Sequence, residues 1–283
     1  MSLLKNKKQR TLINLIGFPL ILFIVYKGGF LFNSFFFIVA VLSIKELNDL
    51  AKLKDYSINT LFLYVSTIFI FFSESLKNNI PIIYNIIKDV NYWHIILFIF
   101  ILIWEIFRFK RKPLVNVSLT IIGFVWIVIF LSKATFIREI APGGYELVLC
   151  MFLSVWSCDS AAFYFGSRFG RKKILPQISP NKTWVGTIAG YVFSFLIVYL
   201  FVYLKLFNEI SHSFVFMDIF ILATIFGVLG QMGDFFESMF KREVNVKDSG
   251  TLLQGHGGVL DRFDSLLFVI PSLYVYVQYF ILN

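Results

Sequence analysis

The sequence carries little charge and few cysteines. Asp, Glu, Lys and Arg make up 15% of its 283 residues, whereas a soluble domain has roughly 25%. The two cysteines, Cys150 and Cys158, lie in one apolar run and are interpreted as small buried residues, not as a disulfide or a metal pair. There is no Gly/Ser-rich linker and no internal repeat of roughly 20–50 residues. These absences exclude a soluble globular domain, a disulfide scaffold and a repeat array.

Hydrophobic residues, in contrast, account for 58% of the chain and aromatic residues for 19%. Long apolar runs predict an all-α integral membrane protein, because a spanning helix satisfies its own backbone hydrogen bonds. Residues 1–283 are interpreted as a single polytopic membrane domain with about nine transmembrane helices and no cleavable signal peptide. The segment 74–92 is open to a re-entrant or interfacial interpretation. The predicted spans are 11–26, 30–50, 58–73, 93–107, 116–132, 145–163, 184–204, 217–237 and 265–282.

Lysine and arginine are distributed unevenly between the two sides of these spans. When the N-terminus is placed in the cytoplasm, most of them fall on the inner side, as the positive-inside rule requires. The N-terminus is therefore predicted to be cytoplasmic and the C-terminus outside, in the cell inner membrane. Loops 164–183 and 238–264 then share the cytoplasmic side. The net charge of +9 follows from this topology, so no nucleic-acid partner is expected.

The segment 238–264 concentrates the polar residues that the rest of the chain lacks. It combines cations that bind phosphate with carboxylates, whose hard oxygens suit Mg²⁺. Gly255, Gly257 and Gly258 flank His256, so the backbone there can approach a ligand closely. A solvated loop is the alternative, but HGG followed by DRFD favours a site for a phosphate-rich substrate held with a divalent metal. The charged residues concerned are Lys241, Arg242, Lys247, Arg262, Asp248, Asp261 and Asp264.

Two further polar elements lie at the inner ends of the sixth and seventh predicted spans. Asp159 lies within the sixth span, where a carboxylate costs about 2.5–3.5 kcal/mol and indicates either function or an ion pair with a loop arginine. Ser179 and Pro180 predict the start of the next helix. Lys182 and the Thr183 hydroxyl would bind phosphate at that helix end, or form an ordinary cap with a snorkelling lysine.

A third polar element ends the eighth predicted span. The helical period places Asp234, Glu237, Ser238 and Lys241 on one face. Glycines lie close to that face and would admit another helix or a substrate. A structural polar seam between helices is the alternative interpretation.

The segment 238–264 has the order S-x-x-K-R-x4-K-D-x-G-x2-L-x2-H-G-G-x2-D-R-x-D. This order resembles the signature of the phosphatidate cytidylyltransferases, also called CDP-diacylglycerol synthases. The runs D-x-x-A-x-x-x-G, S-P-x-K-T-x-x-G and G-D-x-x-E-S-x-x-K-R resemble the same family, so the likeness covers about residues 155–265. It implies the reaction of CTP with phosphatidate to give CDP-diacylglycerol and pyrophosphate. It also implies a homodimer in contact with membrane lipids.

The resemblance gives the polar residues hypothetical roles. Asp234 and Asp261, with Asp159 as a further candidate, are expected to bind Mg²⁺, and a second cation is plausible. His256 could bind a phosphate or the base. The catalytic group is Asp234, Asp261, Lys241, Lys247, Asp248 and Asp264, and the substrate-binding group is Ser179, Lys182, Thr183, Ser238, Arg242, His256, Gly257, Gly258 and Arg262.

Residues 1–144 offer little chemistry and are interpreted as a scaffold and possible dimer half, whereas 145–283 form the catalytic half. The charges at the inner end of the second span, Glu46 among them, are attributed to snorkelling. Glu105 and Arg108 have the spacing of an ion pair on one helix.

Other activities stay open at this point. One is a CTP-dependent enzyme acting on another lipid, such as a polyprenol kinase or an ether-lipid cytidylyltransferase. The other is a transporter of an anionic solute, against which stand the absence of an inverted repeat and the clustering of charge at one membrane face.

Overall fold

A computed structural model describes residues 16–79, 90–207, 210, 212–252 and 257–282. In this part of the chain the backbone is helical, apart from short connections and one isolated antiparallel bridge. The helices in chain order are α1 (Ile16–Lys27), α2 (Gly29–Lys52), α3 (Thr60–Asn79), α4 (Val90–Arg108), α5 (Pro113–Glu139), α6 (Gly144–Phe169), α7 (Trp184–Tyr203), α8 (Phe216–Glu243), α9 (Leu260–Phe263) and α10 (Leu266–Ile281).

Within the described residues, five helices are long and apolar enough to cross a membrane: α2, α5, α6, α7 and α8. Shorter apolar stretches lie in α1, α3 and α10. The prediction of a helical membrane protein is confirmed, whereas nine crossings and the orientation of the termini stay predictions. Of the segment 74–92, only the ends lie in α3 and α4, and its middle falls outside the described residues.

The core forms around α5, which packs against α2, α6 and α10. Gly123, at the start of a π-helical turn in α5, permits a close approach, because a Cβ there would lie 3.0 Å from a Leu47 methyl carbon and 3.1 Å from one of Leu63. Leu131 of α5 and Leu267 of α10 have no exposed surface in this core. The first half of the chain thus packs directly on the last helix.

α6 and α7 form an antiparallel pair that packs along its length, and α7 packs in turn on α8. Small residues permit these contacts. A Cβ on Gly190 would lie 2.8 Å from the sulfur of Cys158, and one on Gly227 would lie 3.1 Å from the backbone of Tyr191. The C-terminal ends of α6 and α8 therefore lie beside the start of α7, where the polar motifs meet.

The start of α7 differs from its prediction. Ser179 and Pro180 lie in a turn, and the helix begins at Trp184. Thr183 is the N-cap, with extended backbone angles and a side-chain oxygen that accepts a hydrogen bond from the Gly186 amide at 3.2 Å. An antiparallel bridge between Lys173 and Thr183 holds the preceding segment as a loop, which overrides the Ser-Pro helix signature.

Two local predictions are confirmed. Glu105 and Arg108 form an ion pair with 3.4 Å between Oε2 and Nε. Cys150 and Cys158 are both buried and free.

Candidate active site

The C-terminal half of α8 carries the polar face that its spacing predicts. Glu237, Ser238 and Lys241 are buried, and Asp234 is half-buried. Ser238 Oγ lies 3.3 Å from Asp234 Oδ1, and Lys241 forms an ion pair with Glu237 one turn earlier. A Cβ on Gly233 would collide with the carbonyl oxygen of Asp264, so glycine is required for the close approach of that segment. Asp234 lines a cavity, whereas Glu237 and Lys241 lie beside the loop that contains Asp261.

The cavity has a volume of about 470 Å³ and lies between α6, α7 and α8. Its polar wall contains the four residues that we call the cavity cluster: Asp159, Lys173, Lys182 and Asp234. Lys182 Nζ lies 2.6 Å from Asp234 Oδ2 and 4.2 Å from the centre of the Phe235 ring. Two cations and two carboxylates therefore face one space, beside the largely exposed Phe163 side chain.

Glycines bring α6 and the start of α7 together at the rim of this cavity. A Cβ on Gly166 would lie 3.0 Å from Thr183 Oγ1, and one on Gly186 would lie 2.6 Å from the carbonyl oxygen of Ala162. Thr183 is buried and its Oγ1 already accepts the Gly186 amide. Thr183 thus lines the cavity, but its side chain also caps α7.

A second group of polar contacts involves the residues that we call the loop cluster: Glu237, Lys241, Ser249, Gly258 and Asp261. Asp261 Oδ1 accepts a hydrogen bond from Lys241 Nζ at 2.6 Å. Its Oδ2 accepts from the amide of Gly258 at 2.7 Å, and from the amide and hydroxyl of Ser249 at 2.9 and 3.0 Å. Burial disfavours the charged form, but the hydrogen bonds and the Lys241 charge hold the pKa of Asp261 below its ordinary value.

Asp264 follows α9, and its backbone packs against Gly233 of α8. Its Oδ1 accepts the amide of Ser265 at 2.6 Å. Burial, followed by the negative charges of Asp234, Glu237 and Asp159, raises the pKa of Asp264 well above its ordinary value. Carboxylates of both clusters therefore act on Asp264, although they belong to two different helices, α6 and α8.

A residue of the first half completes the loop cluster. Glu46 of α2 is 7% exposed and accepts hydrogen bonds from Ser249 Oγ at 2.7 Å, the Val259 amide at 2.7 Å and the Leu260 amide at 2.9 Å. The interpretation of Glu46 as a snorkelling residue is therefore wrong. Glu46 is one of several charged residues near the end of an apolar helix, and this local sequence does not indicate a partner more than 200 residues away.

Other predicted residues occupy different environments. Arg242 donates from Nε to the carbonyl of Ile178 at 3.1 Å and from a terminal nitrogen to that of Val246 at 2.8 Å, so it joins the α6–α7 loop to the end of α8. Of the remaining members, Lys247, Asp248 and Arg262 are exposed, and Ser179 is half-buried in the turn. Gly257 has a φ of 80° and lies against the Asp261 carboxylate, and His256 falls outside the described residues.

Two residues of the cavity were not selected from the sequence. Lys173 is one of several basic residues in the loop 164–183, and the bridge to Thr183 brings it to the cavity wall. Gln231 donates from Nε2 to the carbonyls of Gly227 and Thr187, at 2.6 and 3.2 Å, and joins α8 to α7 at the cavity wall. Gln231 precedes Asp234 by three positions, and that helical spacing was the available indication.

The carboxylates suit a Mg²⁺ ion that also binds substrate. The described residues contain no group of three or more His, Cys, Asp or Glu side chains arranged to hold a metal alone. Mg²⁺ commonly takes only one or two carboxylates together with substrate phosphates. Asp159 and Asp234 supply such a pair at one cavity, whereas both oxygens of Asp261 are engaged by the loop and by Lys241.

Comparison with known proteins gives a consistent result. Residues 8–280 match the model of a cytidylyltransferase family. A phosphatidate cytidylyltransferase of Staphylococcus aureus (strain COL) is 34% identical over 269 residues, covering 94% of this chain and 97% of the relative. Proteins of the same name from Staphylococcus saprophyticus and Staphylococcus epidermidis are 30% and 31% identical, with the same coverage of each chain.

Proposed function

Since the chain belongs to the cytidylyltransferase family, we propose that it transfers CMP from CTP to phosphatidate, giving CDP-diacylglycerol and pyrophosphate for phospholipid biosynthesis. The observation that carries this proposal is the cavity cluster. Two lysines and two carboxylates face one space of about 470 Å³ between helices with exposed apolar surfaces. The phosphates of CTP and of the lipid need cations, and the metal ion needs carboxylates. The acyl chains of the lipid need apolar surroundings.

The reaction is an in-line displacement at the α-phosphorus of CTP. A phosphate oxygen of phosphatidate forms the new P–O bond, while the bond to the bridging oxygen of pyrophosphate breaks. Such a transfer depends on positioning and on neutralising charge more than on a covalent nucleophile. The lysines of the cavity cluster match that requirement, because the Lys182 ammonium can shift from Asp234 to a phosphate oxygen when substrate enters, and Lys173 has no carboxylate partner among the described residues.

Asp159 and Asp234 are the residues that would hold Mg²⁺, since they share the cavity with Lys173 and Lys182. The bound ion would neutralise phosphate charge and help to orient the triphosphate. Asp261 stays a candidate ligand only if it exchanges its present hydrogen bonds when substrate binds. In this structure Asp261 instead accepts hydrogen bonds from Lys241 and from the Ser249 amide of the loop.

Lysines 173 and 182 would bind the triphosphate, and Lys241 would reach a phosphate only by leaving its ion pairs with Glu237 and Asp261. The acyl chains of phosphatidate would lie against the exposed apolar surface near Phe163 and Trp184, at the cavity opening and the start of α7. A substrate that enters laterally in this way would not leave the bilayer.

The proposal includes a topology. Nine helical crossings with a cytoplasmic N-terminus and an external C-terminus would place the cavity toward the cytoplasm, where CTP is available. The cell inner membrane is the expected location. A homodimer would form through the surface of residues 1–144. Labelling of single cysteines introduced at Lys172 and Lys205 would test the orientation, since these residues belong to loops that are predicted to lie on opposite sides of the membrane.

The activity is tested with purified full-length protein in detergent, labelled CTP and phosphatidate, with and without Mg²⁺. We expect Mg²⁺-dependent formation of CDP-lipid with release of pyrophosphate. A parallel reaction contains polyprenol as acceptor. Product from polyprenol alone, with CDP released, would contradict the proposal and indicate a lipid kinase. No product from either lipid, with folded protein, would also reject it.

A further inference from the structure

We propose that Glu46 is a positioning residue of the active site, which holds the loop cluster in its working geometry from the opposite half of the chain. This inference rests on the proposed function. Glu46 belongs to α2, within the half assigned to the scaffold. Its carboxylate is nevertheless buried in the loop that contains Ser249, Gly258 and Asp261.

The hydrogen bonds of Glu46 are directed to the backbone that carries Asp261. Oε1 accepts the Val259 amide, and Oε2 accepts the Leu260 amide and the Ser249 hydroxyl, at 2.7, 2.9 and 2.7 Å. Val259 and Leu260 lie at the start of α9, where amides have no intrahelical partner. Glu46 therefore determines where α9 begins, and Asp261 follows one residue later.

The glycines of the loop fit closely around this carboxylate. A Cβ on Gly250 would lie 2.8 Å from Glu46 Oε1, and a Cβ on Gly258 would collide with Oε2. Gly258 also donates its amide to Asp261 Oδ2 at 2.7 Å. The same short backbone segment thus contacts the Glu46 carboxylate and orients the Asp261 carboxylate.

Ser249 connects the two acids directly. Its hydroxyl lies 2.7 Å from Glu46 Oε2 and 3.0 Å from Asp261 Oδ2, and it has only one hydrogen to donate. Its amide donates separately to Asp261 at 2.9 Å. A change at Glu46 would therefore displace Ser249, then Asp261, and then the Lys241 ammonium that Asp261 holds at 2.6 Å.

Glu46→Gln is the informative substitution, because it preserves size and removes one acceptor. Three donors converge on the carboxylate from both of its oxygens, so the amide NH₂ of glutamine must face at least one N–H or O–H donor. A buried donor without an acceptor is costly, and the loop should rearrange to avoid it. Asp49→Asn is the matched control, since Asp49 lies on the same helix, is exposed and contacts Lys52 at 3.2 Å.

Two measurements distinguish positioning from simple stability. The first is kcat for CDP-lipid formation per folded enzyme, with the folded fraction taken from gel filtration and thermal unfolding. Displacement of reacting groups by 1 Å lowers the rate about 100-fold, so we expect kcat to fall about 10- to 100-fold for Glu46→Gln.

The second measurement is amide hydrogen exchange in peptides covering residues 257–264, which should accelerate at least about tenfold when the Glu46 acceptor is lost. Asp49→Asn should change neither.

Ser249→Ala is the second variant and removes only the hydroxyl between the two acids. If Glu46→Gln does not fold, this variant should still lower kcat and accelerate exchange in the same peptides. Faster exchange with an unchanged kcat would overturn the positioning role. A loss of total activity that is fully explained by a smaller folded fraction would overturn it as well. Unchanged exchange in both variants would overturn the anchoring itself. Absence of CDP-lipid from the unsubstituted protein would reject the proposed function, while the exchange measurement would still test the anchoring.

Discussion

Lys182 and Asp234 form an ion pair with 2.6 Å between Nζ and Oδ2, joining the loop before α7 to the polar face of α8. The pair is partly accessible, with about a quarter of the Lys182 side chain and a third of the Asp234 side chain exposed to the cavity. A ligand in the cavity can therefore replace either partner of this ion pair. Lys182 would turn to a phosphate, and Asp234 would then be free for a cation.

Asp234→Asn should abolish the formation of CDP-lipid while the protein stays folded. Loss of charge at a metal-binding position costs several kcal/mol, and each 1.4 kcal/mol lowers the rate about tenfold, so we expect at least about a 100-fold fall in kcat. Glu243→Gln is the matched control, because Glu243 is an exposed acid at the end of the same helix. Turnover of the Asn variant close to that of the control would contradict the assignment of Asp234.

Lys173→Ala should raise the KM for CTP, because Lys173 faces the cavity and contacts no carboxylate within the described residues. Loss of a charge-assisted hydrogen bond of about 1.5–3 kcal/mol corresponds to a rise of roughly 10- to 150-fold. Lys172→Ala is the control, since Lys172 is the exposed neighbour that does not line the cavity. Equal effects of the two substitutions on KM would indicate nonspecific attraction by the basic loop.

Removal of divalent metal with EDTA should stop the reaction, and added Mg²⁺ should restore it. Asp159→Asn should then increase the Mg²⁺ concentration needed for half-maximal activity at saturating CTP, by about 10- to 100-fold if Asp159 is a direct ligand or orients one. The measurement is initial rate against Mg²⁺ concentration. An unchanged half-maximal concentration with a lowered maximal rate would remove Asp159 from the metal site.

Thr183→Val should destabilise the protein, because it removes the oxygen that caps α7 at the Gly186 amide. The expected loss is about 1 kcal/mol, seen as a lower thermal unfolding midpoint. Thr183→Ser keeps the oxygen and should behave like the unsubstituted protein in both stability and KM for CTP. A valine variant with an unchanged midpoint and weaker CTP binding would show that the hydroxyl serves the ligand and not the helix.

The all-helical membrane architecture was predictable because it depends on composition and on runs of apolar residues. The polar face of α8 was predictable as well, since a helix places residues three and four apart side by side. Two contacts follow this rule, since each joins residues four positions apart: Asp234 with Ser238, and Glu237 with Lys241. The number of crossings stays a prediction, because several apolar runs are short for a span of about 20 residues.

The sequence by itself therefore determined the membrane class, the family resemblance and most of the polar motifs, all of which follow from local order along the chain. Only the tertiary structure decided how those motifs meet. It placed Lys173 at the cavity wall, engaged both oxygens of Asp261, and brought Glu46 to a loop more than 200 residues away. The physical reason is that a buried carboxylate needs hydrogen-bond donors, and which donors it finds depends on the packing of α2 against α9, not on neighbours in sequence.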